Sequence, residues 1–302
     1  MIKLRDQIKL FMQELIETQD GLIFGQNLTD VGWVAGTIPE LPNSKNYVEL
    51  PISDIAGPGI AVGSAISGRP TVYISRYQGY LWFNMAPFAT YAAPARVVFD
   101  QQCKLLIRSI ADDGSLGPIA AGSHFSIATH VQDLKIVSPV SPQEWSDVWK
   151  YFNQSSEPIF VAEHRSTYDN ISKIEDYKTI CDIVVLSIGG TSQLIPEISR
   201  SLNKAGVSNS YANILWIKPF NLNSELLSII HNAKLCVILD PEDTEFGISN
   251  SLKNELSKEM STKIISIGSK AGFPGYSKNL SSKFVDIKTV VDLIQRNLND
   301  VS

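Results

Sequence analysis

The sequence predicts an α/β protein with two domains, each containing a mostly parallel sheet flanked by helices. Short apolar runs typical of strands alternate with helical patterns along the whole chain. A length of 302 residues favours two hydrophobic cores over one. A polar stretch at 166–180 lacks a long apolar run. It predicts a linker between a first domain at 1–165 and a second at 181–302.

Six strands are predicted for the first domain, and the helix after the fifth has a clear start signal. The residues at 141–144, Ser-Pro-Gln-Glu, have the spacing of a capping box with a proline in the first turn. Trp145, Val148 and Phe152 then form one apolar helix face. The predicted strands span 22–24, 47–50, 71–75, 105–110, 135–137 and 159–162.

Four strands and a final helix are predicted for the second domain. The strands span 183–187, 214–217, 235–239 and 264–267, and the helix spans 290–298. The segment Ser-Ile-Gly-Gly-Thr-Ser at 187–192 ends a strand and opens a helix, a position where anions can bind. It lacks a complete dinucleotide or Walker motif, so a plain tight turn is the favoured interpretation.

Charge and hydropathy exclude two classes of partner. The chain has 26 Lys and Arg residues against 31 Asp and Glu and no basic run, so we expect no nucleic acid. Its longest apolar stretches are too short to span a bilayer, so we expect no membrane. The N-terminal pattern of Leu4, Ile8, Phe11 and Leu15 indicates an amphipathic helix, not a signal peptide.

The cysteines favour a cytoplasmic protein. Cys103, Cys181 and Cys236 are far apart in the sequence and odd in number. This spacing argues against a disulfide framework and against a zinc cluster, and it fits a reducing compartment.

Asp54 is the first candidate for chemistry. It is a lone carboxylate between a strand-like run at 47–52 and a helix of small residues at 59–68. A carboxyl group at the end of a strand can transfer protons. Aspartate is also a good N-terminal helix cap. Both interpretations are open from position alone.

Two further segments carry candidate site residues. His124 and His130 lie in a Gly- and Ser-rich connection before a strand, where α/β proteins place ligand-binding loops. Either histidine could equally be a loop residue without a role. Tyr77, Gln78 and Tyr80 belong to an aromatic cluster that either packs in the core or lines a pocket.

Taken in order, these motifs resemble the beta subunit of the thiamine diphosphate-dependent first component of 2-oxoacid dehydrogenase complexes. More broadly, they resemble the pyrimidine-binding and C-terminal domains of transketolase-like enzymes. The resemblance covers almost the whole chain, and its strength lies in the order and spacing of the motifs. The matching positions are Gly21-Leu22-Ile23-Phe24-Gly25, Pro51-Ile52-Ser53-Asp54, Gly59-Ile60-Ala61-Val62-Gly63, Tyr77, Tyr80, His124, His130, Glu163 and Tyr168.

The resemblance implies roles for these residues. Asp54 stands where the family has a glutamate that bonds a pyrimidine nitrogen of the cofactor and activates it by proton transfer. Tyr77 and Tyr80 would hold the pyrimidine ring, and His124 would act as an acid/base or bind intermediates. His130 and Gln78 become candidates for the substrate pocket. This chain departs from the family where aspartate replaces glutamate, and where Gln26-Asn27 replace an acidic pair.

The resemblance also implies a partner. In the family, a separate domain with Gly-Asp-Gly and a later Asn binds the diphosphate and Mg²⁺, and that motif is absent here. We therefore expect an alpha-type subunit to supply those ligands, with no metal ligands from this chain, in a heterotetramer. The C-terminal domain would serve subunit contact, without chemistry of its own.

Three functions follow from the resemblance. The first is a beta-type subunit that decarboxylates a 2-oxoacid and transfers an acyl or aldehyde group, with a lipoyl acyltransferase as a further candidate partner. The second is one half of a split transketolase-like carboligase acting on a ketose. The third is a catalytically degenerate assembly subunit, suggested by the change from glutamate to aspartate.

Overall fold

The structure is a computed structural model that describes residues 1–30, 32–114, 116–269, 275–277 and 286–300. Its described strands form two sheets. The strands are β1 (Leu22–Gly25), β2 (Tyr47–Glu49), β3 (Thr71–Ser75), β4 (Leu105–Ala111), β5 (Lys135–Val137), β6 (Ile159–His164), β7 (Glu175–Asp176), β8 (Ile183–Ser187), β9 (Asn209–Asn213), β10 (Trp216–Lys218), β11 (Leu235–Asp243) and β12 (Lys263–Ser269).

Helices surround both sheets. They are α1 (Leu4–Gln19), α2 (Gly32–Gly36), α3 (Ala56–Ile66), α4 (Leu81–Pro87), α5 (Ala95–Phe99), α6 (Gly117–Ala121), α7 (Ser126–Thr129), α8 (Pro142–Gln154), α9 (Ile195–Lys204), α10 (Ser224–Asn232), α11 (Ser249–Glu259) and α12 (Ile287–Asn299). In the described parts of the chain, no helix combines the length and the apolar character needed to cross a membrane.

The two sheets are mostly parallel, which confirms the predicted fold class. The first has seven strands in the order β10-β5-β6-β4-β3-β1-β2, and β10 is antiparallel to β5. The second has five strands in the order β12-β11-β8-β9-β7, and β7 is antiparallel to β9. Since parallel strands end at the same edge of a sheet, the connections after β1, β3 and β4 lie side by side.

The predicted strand at 214–217 overlaps β10 at 216–217, but its placement in the second sheet is wrong. The second sheet instead contains β9 (Asn209–Asn213), whose polar sequence gave no strand signal. The apolar residues that drew the prediction lead into β10, which pairs with β5 of the first sheet. β7 lies inside the predicted linker and joins the second sheet. The domain division at 166–180 itself stays a prediction.

Helices α1 and α8 cover one face of the first sheet. Ser141 caps α8, because its hydroxyl oxygen accepts from the Glu144 backbone N–H at 3.2 Å. The Glu144 carboxylate accepts in turn from the Val140 N–H at 2.7 Å. The Trp149 ring stacks between Phe11 of α1 and its own neighbour Phe152, at 5.2 Å from each.

A fully buried ion pair joins the two central strands of this sheet. Arg108 of β4 donates two hydrogen bonds to the Glu163 carboxylate of β6, at 2.6 and 2.9 Å. The same guanidinium donates to the Thr37 hydroxyl at 2.9 Å, and the Tyr168 hydroxyl donates to Glu163 at 2.7 Å. Bidentate geometry and extra partners are what a buried pair needs to offset its desolvation. Glu163 and Tyr168, both named from the sequence, therefore belong to this network.

Replacing Glu163 by glutamine tests the energetic weight of this network. The change keeps the shape of the side chain but leaves the Arg108 charge buried without a counter-charge, which is expected to cost about 3–5 kcal/mol. Urea denaturation of the chain measures the free energy of unfolding. The matched control is Glu255→Gln, which removes an exposed pair with Lys258 and is expected to cost under about 1 kcal/mol. Equal losses in the two variants would contradict the prediction.

Candidate functional site

A pocket of about 180 Å³ lies at the carboxyl edge of the first sheet. Gln26 follows β1, Arg76 follows β3, and Asp54 lies between β2 and α3, so three connections meet there. The lining consists of Gln26, Asn27, Asp54, Tyr73, Ile74, Ser75, Arg76, Tyr77, Tyr80 and Asn84. The structure thus brings together three of the residues predicted from the sequence, namely Asp54, Tyr77 and Tyr80.

Asp54 is held from two sides. Its carboxylate accepts from the Gln26 amide at 3.1 Å, and its backbone carbonyl accepts from the Asn84 amide at 2.7 Å. Asn84 is fixed in turn by the Ser75 hydroxyl, which donates to it at 2.9 Å. Among the described residues no side chain caps α3, which begins at Ala56. The helix-cap interpretation of Asp54 is therefore wrong, and its carboxylate is part of the pocket lining.

Three tyrosines face this carboxylate. The rings of Tyr77 and Tyr80 have centroids 6.0 Å apart and are tilted by 40°. Burial first, and then the nearby Asp54 charge, raises the pKa of both Tyr73 and Tyr80. Both hydroxyls therefore stay protonated at neutral pH. Tyr73 was not expected, because it lies within the apolar run of β3 and is indistinguishable there from a core residue.

His124 is held by contacts at both ring nitrogens. The Trp82 indole N–H lies 3.4 Å from Nδ1, and Nε2 lies 2.9 Å from the Pro118 carbonyl. An indole N–H can only donate and a carbonyl can only accept. The contacts therefore assign the ring proton to Nε2, which donates to Pro118, while Nδ1 accepts.

Gln78 forms hydrogen bonds to the loop that carries His124. It is fully buried, and its amide oxygen accepts from the His124 N–H at 2.9 Å and from the Ser123 hydroxyl at 3.2 Å. Its amide nitrogen donates to the carbonyls of Ser109 and Glu163, at 3.3 and 3.2 Å. Gln78 therefore connects the loop to the ends of β4 and β6.

His130 lies apart from this arrangement. Its side chain is exposed and lines a separate crevice of about 720 Å³. Other walls of that crevice come from the segment after β10 and from α11, including Lys218, Phe220 and Leu252. The structure therefore does not bring His130 together with Asp54.

Sequence reasoning missed Glu242, at the end of β11. Its carboxylate accepts from the Ser126 N–H at 3.1 Å and from the Ser123 hydroxyl at 3.4 Å. A residue of the second sheet thus contacts the loop that carries His124. Burial first, and then the Asp240 charge, raises the pKa of Glu242 to about 7. Periodicity gave no signal, since the contact joins residues 116 positions apart.

The raised pKa of Glu242 predicts how a Glu242→Gln variant changes stability with pH. A folded-state pKa raised from 4.5 to about 7 gives a stabilising contribution that is present below pH 4.5 and lost as pH rises through 7. Glutamine cannot ionise, so the variant is expected to have a higher Tm than the wild type at about pH 8 and a similar Tm at about pH 4.5.

Thermal unfolding across this pH range measures the difference. Glu245→Gln is the matched control, because Glu245 is exposed on the same connection after β11. It is expected to show no pH-dependent difference. A Glu242→Gln effect that stays constant with pH would contradict the assignment.

Comparison with known proteins gives distant relatives over most of the chain. No protein-family model matches. The chain is 22% identical over 264 residues to the 2-oxoisovalerate dehydrogenase subunit beta of Bacillus subtilis, covering 80% of each chain. It is 18% identical over 230 residues to the acetoin:2,6-dichlorophenolindophenol oxidoreductase subunit beta of Cupriavidus necator, covering 70% of this chain and 67% of the relative.

A solved structure shares the fold. It is a split-gene transketolase in an inactive beta4 tetramer, with a TM-score of 0.74 and 11% identity, and the match covers 100% of this chain and 99% of that one. The resemblance drawn from the motifs is therefore confirmed. The chain is similar in sequence to beta subunits of a 2-oxoisovalerate dehydrogenase and an acetoin oxidoreductase, and it has the fold of a transketolase-like protein.

Proposed function

We propose that this chain is a beta-type subunit of a heteromeric thiamine diphosphate-dependent enzyme that acts on a 2-oxoacid. The observation that carries the proposal is the pocket in which Asp54 faces Tyr73, Tyr77 and Tyr80. Asp54 occupies the position at which the resemblance places the cofactor-activating carboxylate. Similarity to two beta subunits of oxidising enzymes supports the same reaction class.

The pocket residues fit the flat, nitrogen-containing ring of this cofactor. A carboxylate can accept a proton or hydrogen bond from a ring nitrogen, and phenol rings can pack against the ring faces. The Gln26 amide donates to the Asp54 carboxylate at 3.1 Å and holds it in the pocket. When bound, the cofactor supplies the carbanion chemistry. Asp54 would then take or return a proton, and Tyr77 and Tyr80 would orient the ring.

His124 is proposed as the second proton-handling residue. The contact from Trp82 to its Nδ1 is long, at 3.4 Å, and Trp82 is 65% exposed. Nδ1 is therefore the nitrogen that exchanges partners most readily. A substrate oxygen or nitrogen could replace the indole there, while the bond from Nε2–H to Pro118 keeps the ring in place.

An apolar surface beside the pocket supports the expected partner. Its side chains are exposed and lie before and within α3, within α4 and α5, and between α4 and α5. Concentrated exposed apolar surface is typical of protein interfaces. We assign it to an alpha-type subunit, which would bring the diphosphate and Mg²⁺ ligands in a heterotetramer. The residues are Ile52, Ile55, Ile60, Trp82, Phe83, Tyr91, Val97, Val98 and Phe99.

A cytoplasmic location completes the proposal. Cys103, Cys181 and Cys236 are buried as thiols, and burial raises the pKa of Cys103 and Cys236 to about 12. Such thiols are unreactive packing residues, which suits a reducing compartment.

The second candidate function is one half of a split carboligase that transfers a two-carbon unit from a ketose. The fold match to a split-gene transketolase favours it as the alternative. The acceptor separates the two functions. Acyl transfer to lipoyl acceptors, with a lipoyl acyltransferase as a further partner, would identify the dehydrogenase component. Carboligation without lipoate would identify the transketolase-like activity.

Cofactor binding by the assembled pair is the first test. The chain co-purified with its alpha-type partner is expected to gain Tm on titration with thiamine diphosphate and Mg²⁺. Ligand at about 100 times its Kd stabilises the bound state by about 2.7 kcal/mol. This chain alone is expected to gain much less, because it holds only the ring side of the site. If the cofactor does not raise the Tm of the pair, this chain would be an assembly subunit without catalysis.

Replacing Asp54 tests the proton-transfer role. Asp54→Ala and Asp54→Asn are expected to lower turnover of the pair by about 100-fold or more, since even a misplaced catalytic group costs on that order. The assembly should remain intact by size-exclusion chromatography. Asp147→Asn is the matched control, because Asp147 is exposed on α8. An unchanged rate in both Asp54 variants would remove Asp54 from the chemistry.

A further inference from the structure

The two sheets of the chain meet at the loop that carries His124. Glu242 belongs to the second sheet and binds this loop at both ends of a short segment, through Ser123 and Ser126. Gln78 follows β3 of the first sheet and binds the same segment through Ser123 and His124. The segment is therefore held between an amide from one domain and a carboxylate from the other.

The Ser123 hydroxyl couples the two supports. It lies 3.2 Å from the Gln78 amide oxygen and 3.4 Å from the Glu242 carboxylate. A hydroxyl has one proton to donate, so these two acceptors share it. The Gln78 oxygen also accepts from the His124 N–H. A change at Glu242 is thus three hydrogen bonds away from the His124 backbone, through Ser123 and Gln78.

Glu242 is itself fixed by its own domain. Its backbone N–H donates to Asp240 at 2.9 Å, and the second carboxylate oxygen of Asp240 accepts from the Ser249 N–H at 2.8 Å. β12 approaches closely at this point, because a Cβ at Gly268 would lie 2.5 Å from the Glu242 carbonyl oxygen. The carboxylate therefore reaches the loop from the end of β11, which is hydrogen-bonded through Asp240 to the start of α11.

A charged carboxylate at Glu242 is energetically costly, because it is buried and lies near other charges. Burial first, and then the charge of Asp240 on the same strand, disfavour the charged form of Glu242, while His164 at the end of β6, beside Asp113, offsets part of this effect. A glutamine could accept the same two hydrogen bonds without the cost of burying a charge. Costly buried carboxylates often mark functional sites.

We propose that Glu242 is a positioning residue for His124, so that the second domain holds an element of the active site in place. The inference deepens the proposed function, on which the role of His124 rests. The positioning itself concerns only contacts within this chain. It also assigns the C-terminal domain a part in catalysis beyond subunit contact.

Amide hydrogen exchange of the full chain tests the positioning directly. In Glu242→Ala, the segment 122–130 is expected to exchange on the order of ten- to a hundredfold faster, the effect of losing a hydrogen bond to a charged group. Peptides from β3 and β8 should be unchanged. Glu242→Gln should retain most of the protection, because its amide oxygen can accept the same bonds. Glu245→Ala is the matched control and should exchange like the wild type.

Turnover of the pair with its alpha-type partner supplies the second readout. Glu242→Ala is expected to lower kcat on the order of 10- to 100-fold, as misplacement of a catalytic group does, with Glu242→Gln restoring most of the rate. In a His124→Ala background the further loss should vanish, because both changes act through one residue.

Two results would overturn the inference. One is unchanged exchange at 122–130 in Glu242→Ala. The other is a kcat loss of equal size with and without His124, which would indicate a general structural defect. If the wild-type pair has no thiamine diphosphate-dependent activity, the proposed function fails. Hydrogen exchange then still decides whether Glu242 holds the loop.

Discussion

The buried pair of Arg108 and Glu163 constrains much of the first domain. Both side chains are at most 1% exposed, so neither charge can turn to water, and the pair must stay formed while the domain is folded. Its partners, Thr37 and Tyr168, fix the segments that follow α2 and β6. The backbone carbonyl of Glu163 also accepts from Gln78, so the support of the His124 loop begins at this same residue.

Strands buried on both faces could be predicted from the sequence because their apolar runs are nearly continuous. β3 and β8 have the predicted bounds, 71–75 and 183–187. β9 was not predicted, because its buried residues are mostly polar and give no apolar strand pattern. Asn209 is fully buried, and its amide nitrogen donates to the Asn203 side chain at 3.1 Å. The apolar run next to it then suggested a strand in the wrong sheet.

Some residues of the candidate site could be predicted from the sequence, and others could not. The pocket group of Asp54, Tyr77 and Tyr80 could be predicted, because connections at one edge of a parallel sheet converge whatever their loops contain. Tyr73 and Glu242 could not. Whether Tyr73 lines the pocket depends on which face of β3 its side chain occupies. The contact of Glu242 with the His124 loop depends on how the two sheets pack. His130 does not line this pocket, since Phe125 and the four residues of α7 separate it from His124.

The two proton-handling candidates differ in how their positions are determined. The contacts that hold Asp54 come from Gln26 and Asn84, both of which lie within 30 residues of it in the sequence. Those of His124 come from Gln78, Trp82 and Pro118, and through Ser123 from Glu242 of the second sheet. His124 is therefore linked to both sheets, whereas the contacts of Asp54 come from the first half of the chain alone. The packing of the two sheets at Ser123 and Ser126 is a constraint on the His124 loop that Asp54 does not share.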